Sequence, residues 1–353
     1  MKYDNKMKYE LVRALPSLMP ALKVSRPRAA SAACRRRGAD VVMDIRTPAG
    51  RLRHLCLAVQ EQPVPGRVRE RLRQLRDGLG KPPRAGYPVL ASGFVSPRVR
   101  QICREEGVGY VDLAGNCRLA FDGLYIEKSV ERNPVVKRGR PASLFTPVSS
   151  RIARAFLEEP GRAWKLIELV QATGISLGQA SNVARRLCDE GYVAETARRL
   201  HLTQPAQLLE AWQADYSLAL HHRIAYYSFE QDPARLMARV AEAAKAQGLR
   251  YAVTSFAGAW LVAPFVHGVS TVQWYVAQED EVPRWVEALD LRPVESGPNA
   301  VLLVPRDAGA FYRARAVNEV TVVGHIQLYM DLVNDPARGR EQAEFLRKET
   351  IGF

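Results

Sequence analysis

Gln179, Ser181, Asn182, Arg185 and Arg186 crowd into one short segment, "ISLGQASNVARRLCDEGYV". A glutamine or asparagine side chain can donate to and accept from adenine at once. An arginine fork matches the edge of guanine, and a serine hydroxyl suits a phosphate oxygen. Together they could read duplex DNA, provided a helix turns them outward on one side. Arg198 and Arg199 follow in "ETARRLHL", where a turn would set them against the phosphate backbone or a minor groove. Earlier, "KRGRP" flanks a glycine with Arg138 and Arg140. Glycine lets the backbone lie on a groove floor while arginines follow a narrow A·T minor groove. A solvated linker is the other reading of that stretch.

Carboxylate chemistry is sparser. Asp44 ends the strand-like "ADVVMDIRTP", and a lone carboxylate does not hold a catalytic divalent metal without further ligands. The next strand-like run ends in Ala58-Val59-Gln60, which offers none. Asp112 precedes Gly115-Asn116 and suits hydrogen bonding to a tight turn, with phosphate or metal contact as a second reading. Thr254-Ser255-Phe256 falls where a strand should turn into a helix, and Ser255 reads as the helix cap. No carboxylate follows on the strand 271–275. Asp331 lies on a helical run and reads as structural. The five cysteines are scattered without a CxxC, and the six histidines do not space with them. No catalytic residue, metal site or cofactor is expected.

The elements that must position these groups can be read from periodicity. In residues 148–212, "SSRIARAFLEEPG" is a helix with Ile152, Phe156 and Leu157 on one face. "AWKLIELVQATG" is a second helix, with Leu166, Ile167 and Val170 apolar. Ser176 caps a third, which turns Ala180, Val183, Ala184 and Leu187 inward and stops at Gly191. Two short strands around the basic turn complete a winged helix-turn-helix. Residues 131–147 are a basic linker. Residues 1–130 begin with a helical stretch over 7–22 and continue as alternating strands and helices, a small α/β sheet. Within them, Val64, Val68, Leu72, Leu75 and Leu79 form one stripe, and Ser96-Pro97 starts another helix. Residues 213–353 carry further strands and helices.

The formal net charge is +14, and it is uneven. Residues 1–150 hold 29 Lys/Arg against 13 Asp/Glu, whereas residues 151–353 hold 22 against 24. A local excess of this size suits a polyanion, with double-stranded DNA the first candidate. The apolar runs are too short to span a membrane, and the N-terminal segment lacks the features of a signal peptide. A reducing, cytoplasmic setting without a membrane partner is expected.

Four stretches resemble known families or motifs. The order of residues 1–130 resembles the PD-(D/E)XK restriction-endonuclease-like fold, with Asp44 in its first acidic position, and "KRGRP" resembles an AT-hook core. Residues 213–353 resemble the nucleotidyltransferase-like part of AbiEi-family type IV antitoxins, most specifically in "HIQLYMDLVNDPARGREQAEFLRKE". "YVDLAGNCRLAF" looks like a recurring segment of the same regulators. These resemblances imply an α/β (α+β) multidomain chain: a degenerate restriction-endonuclease-like α/β domain, a winged helix-turn-helix, and a degenerate nucleotidyltransferase-like α/β domain. The implied function is that of a sequence-specific DNA-binding transcriptional repressor, the antitoxin of a toxin–antitoxin system whose toxin is a nucleotidyltransferase. A domain emptied of its catalytic residues suits binding a partner or a second protomer, so a homo-oligomer is compatible and an enzyme is not expected. Two alternatives stay open: a metal-dependent nuclease using Asp44, and a DNA-bound architectural or assembly factor of a mobile element or defence system.

Overall fold

The computed structural model describes residues 23–25, 28–47, 50–61, 63–79, 86–130 and 143–353. The helix expected over 7–22 and the arginines Arg138 and Arg140 lie outside the described residues. The chain is mixed α and β with several sheets, as expected. It divides into two compact units, one taking in the described residues before 142 with Cys188–Gly191, the other residues 143–187 and 192–353.

The first unit runs β1 (Lys23–Val24), β2 (Arg28–Ala29), α1 (Ala32–Arg36), β3 (Val41–Arg46), β4 (Leu52–Gln60), α2 (Pro65–Gly78), β5 (Tyr87–Ser92), α3 (Pro97–Glu105), β6 (Gly109–Asp112), β7 (Cys117–Phe121) and β8 (Leu124–Lys128). One sheet takes the order β1-β3-β4-β5-β6-β7-β8, with β2 also on β3. β4, β5 and β6 are parallel, joined by α2 and α3, and the flanking pairs are antiparallel. Strand β4 reads as a continuous apolar run because both its faces are covered. Leu55, Leu57 and Val59 enter one core cluster, while Cys56 and Ala58 meet Leu75 of α2 in another. The α2 stripe is observed, with Val68, Leu72 and Leu75 buried. Ser96 caps α3, its Oγ accepting from Val99 N at 3.3 Å.

The second unit opens with α4 (Pro147–Glu158), α5 (Leu166–Thr173), α6 (Leu177–Asp189), and a hairpin of β9 (Val193–Thr196) and β10 (Arg199–Leu202). It continues through α7 (Pro205–Asp215), β11 (His222–Tyr227), α8 (Pro233–Gln247), β12 (Tyr251–Thr254), α9 (Ser255–Val262), β13 (Val272–Val276) and α10 (Val282–Leu289). It ends with β14 (Arg292–Pro293), β15 (Ala300–Val304), β16 (Arg315–Val317), β17 (Val320–Val322), α11 (His325–Val333) and α12 (Gly339–Leu346). The large sheet has the order β14-β11-β15-β13-β12-β17-β16. Trp274 and Trp285 are fully buried in its core beside Val240 and Leu302.

One local expectation is corrected and one face is defined. On α5 the inward residues are Leu169 and Thr173, with Leu166 and Val170 half-buried beside them, whereas the apolar Ile167 is 51% exposed. The helix begins at Leu166, and its 3.6-residue turn swings Ile167 away from the face that Leu169 and Thr173 share. Ser255 is not the cap of α9. Thr254 takes that position, and Ser255 has a φ of 57°, a left-handed conformation unusual outside glycine.

Candidate nucleic-acid interface

α5 ends at Gly174, whose φ of 66° closes the helix in the left-handed conformation. Ser176 then starts α6 with a reciprocal cap. Its Oγ accepts from Gln179 N at 3.3 Å, while Gln179 Oε1 accepts from Ser176 N at 3.3 Å and from Ser176 Oγ at 3.0 Å. The glutamine oxygen is therefore committed to the helix start, which sequence reasoning had assigned to base contact.

Ala180, Val183, Ala184 and Leu187 form the buried face of α6, spaced i, i+3, i+4, i+7. Gln179, Ser181, Asn182 and Arg185 lie exposed, and Arg186 is half-buried. Arg185 Nη2 donates to Asn182 Oδ1 at 3.0 Å, so two of the base-reading candidates hold each other in the free protein.

The hairpin is braced against the rest of the winged unit. Trp164, fully buried, exchanges both backbone hydrogen bonds with Leu200 at 2.9 and 2.8 Å, adding a third short edge to β9 and β10. The two-residue turn is Ala197-Arg198, with φ of 51° and 59°. Such a turn ordinarily selects asparagine and glycine. Arg198 is exposed at this turn, whereas Arg199 is half-buried and its Nη1 donates to the Ala163 carbonyl at 3.0 Å. Only one of the two wing arginines is thus free of the body of the unit.

Sequence reasoning missed what lies beneath α4. Arg151 grips Asp307 with Nε at 2.8 Å and Nη2 at 2.7 Å. Glu158 receives the N–H of Ile326 at 2.8 Å, a carboxylate at the N-terminus of α11, where the helix dipole favours it. Between these contacts, Arg154 Nη2 donates to Gln327 Oε1 at 2.6 Å. Gln327 Nε2 in turn donates to Asp331 Oδ1 at 2.7 Å. Asp331 also accepts from Tyr216 Oη at 2.6 Å, Thr254 Oγ1 at 2.6 Å and Tyr275 Oη at 3.0 Å. Burial raises Asp331 above the usual carboxylate range and lowers His221, which bonds Tyr216 Oη. The one sequence signal was the four-residue spacing of Gln327 and Asp331 on an otherwise apolar helix.

Residues 201–352 match a family model described as transcriptional regulator, AbiEi antitoxin, type IV TA system. Over that region the chain is AbiEi-like. Comparison with curated proteins and with solved structures gives no match. The AbiEi-like region takes in Asp331, Gln327 and the whole large sheet, while α4, α5 and α6 precede it.

In the first unit the nuclease-like positions do not converge. Asp44 lies opposite His54 on β4, bonded to His54 Nδ1 at 2.6 Å and paired with Arg28. Ala58 is four residues further along that strand, roughly 13 Å away. The acid beside it is Asp40, whose Oδ2 accepts from Val59 N at 2.8 Å. Among the described residues no three His, Cys, Asp or Glu side chains come together as metal ligands. Asp112 is fully buried and accepts from Val95 N at 2.8 Å, Asn116 N at 2.9 Å and Asn116 Nδ2 at 2.7 Å. It holds the turn as expected, with Gly115 at φ 97°.

Proposed function

We propose that the chain is a DNA-binding transcriptional regulator of the antitoxin type, with α6 in the major groove and the Ala197-Arg198 turn on the phosphate backbone. The observation that carries this reading is the division of α6 into a buried apolar face and an exposed face of Ser181, Asn182 and Arg185. A helix fixed on one side and polar on the other can be lowered into a groove without unfolding anything. Arg186 extends the same face, and Gln179 contributes through its amide nitrogen, since its oxygen holds the cap. Arg138 and Arg140 supply a minor-groove arm directly before α4. The AbiEi-like region supports an antitoxin-type regulator; repression of the chain's own promoter, a nucleotidyltransferase toxin as its functional counterpart and the absence of turnover in either enzyme-like part complete the proposal.

Footprinting upstream of its own gene, paired with a reporter driven by that promoter, tests this reading. Protection of a discrete site together with lower reporter output is expected. Protection without any change in output would mark an architectural role instead.

A further inference from the structure

Arg154 poses a problem that the regulator reading leaves untouched. Its side chain is 4% exposed, and its guanidinium lies 4.8 Å from the centre of the Trp212 ring. Nη2 donates to the neutral amide of Gln327, and Nε, fully buried, has no hydrogen-bond partner among the described residues. No carboxylate among them lies close enough to form an ion pair with it. Asp307, nearby, is taken up by Arg151 and by the N–H of Gly309. Asp331 is satisfied by Tyr216, Tyr275, Thr254 and Gln327. A buried cation that hydrogen-bonds only a neutral amide, with the carboxylates of Glu158 and Asp307 acting on it from beyond ion-pair distance, is costly, and an anion beside it would offset that cost.

A place for such an anion exists. A cavity of about 50 Å³ is lined by Arg154, Trp212, His221, Arg306, Gln327 and Asp307, the last with its carboxylate already paired to Arg151. It lies where α4 of the winged unit meets the AbiEi-like region. His221 does not compete for the anion as a cation, because its Nδ1 accepts from Arg306 N at 3.2 Å and its Nε2 faces Tyr216 Oη at 2.9 Å. Arg306 is exposed, so its side chain can stand at the mouth while Arg154 stands at the base. The volume holds a group the size of a few water molecules and excludes a nucleoside.

We propose that this cavity binds a small oxyanion, a carboxylate or inorganic phosphate, held by the buried guanidinium of Arg154 and the exposed one of Arg306. Charge-assisted bonds from two arginine forks are the usual means of holding either group. The site needs no DNA, so its test is independent of the regulator reading.

The test titrates the full chain with sodium phosphate or sodium acetate, holding ionic strength constant with sodium chloride, and reads thermal unfolding. At least one oxyanion should raise the midpoint saturably beyond chloride. A preference for phosphate would name a phosphate ligand, and a preference for acetate a carboxylate; either supports the site. Arg306→Gln, at an exposed position that should fold normally, should weaken the apparent affinity about tenfold, as loss of one charge-assisted contact would. Arg154→Gln, where it folds, should abolish the effect. The proposal is overturned if neither anion exceeds chloride, or if Arg306→Gln responds as the wild type does.

Discussion

Arg198 and Arg199 are neighbours with different tasks. Arg198 is exposed at the hairpin turn, whereas Arg199 is tied to the Ala163 carbonyl. Arg198→Ala should weaken binding to all duplexes alike and make the salt dependence shallower by about one phosphate contact. Arg199→Ala should instead lower the stability of the winged unit by about 0.5–1.5 kcal/mol, the net value of a typical hydrogen bond, measured by denaturant unfolding. Arg138 and Arg140 call for a different readout. Replacing both by alanine should cost most affinity when the flank of the site is A·T-rich, and little when it is G·C-rich. Equal losses on both flanks would make the stretch a linker. His325 gives a pH signature. Burial, and then the charge of Arg315, lowers it to about 4. Between its ordinary value near 6.5 and about 4 the unfolded chain takes up the proton first, so folding loses stability as pH falls, by up to about 1.4 kcal/mol per pH unit. Glu158 and Asp331, both raised by burial, act in the opposite sense. His325→Gln should therefore flatten the acid-side loss, and an unchanged difference between pH 6.5 and 4 would contradict the assignment.

Among the elements, those set by short-range rules were legible in the sequence. The caps at Ser96 and Ser176, the stripe of α2 and the buried face of α6 each follow from spacing within a turn or two. What was not legible depended on distant partners. Asp331 read as structural, but its partners could not be named, because Tyr216 and Thr254 reach it from 115 and 77 residues away. The resemblance placed Asp44 and Ala58 by motif order, whereas the strand register sets Asp44 opposite His54. The turn of the wing is a further case, since Ala197 and Arg198 sit at positive φ without the residues that usually permit it. Ala197→Asn should relieve strain and stabilise the fold by up to about 1 kcal/mol, with DNA affinity unchanged. Gly324, the cap residue of α11, was legible only in retrospect. A Cβ there would fall on Glu158 Oε1 and come within 2.7 Å of the Tyr312 carbonyl oxygen. Gly324→Ala should cost about 1–3 kcal/mol by denaturant unfolding, since Glu158 Oε1 cannot withdraw without losing the N–H of Ile326 and the Tyr312 oxygen belongs to the backbone.

At the scale of the whole molecule, the cationic excess and the family match fall in different parts of the chain. The cationic excess falls in residues 1–150, yet some of it is already spoken for. Arg69, Arg73 and Arg76 of α2 all reach the nearly buried carboxylate of Glu106, at 2.7, 3.1 and 3.1 Å. Burial opposes that charge, but the hydrogen bonds from Arg73 and Arg69 outweigh it and lower Glu106 below its ordinary value. The proposed reading therefore assigns base contact to α6, which precedes the AbiEi-like region. The most direct test is fluorescence anisotropy at one fixed salt concentration, using DNA from upstream of the chain's own gene and a scrambled duplex of the same length. Wild type should prefer the native duplex strongly. Asn182→Ala and Arg185→Ala should each lose about 1–3 kcal/mol on it and almost nothing on the scrambled one. If both variants bind the native duplex as tightly as wild type, α6 does not read DNA.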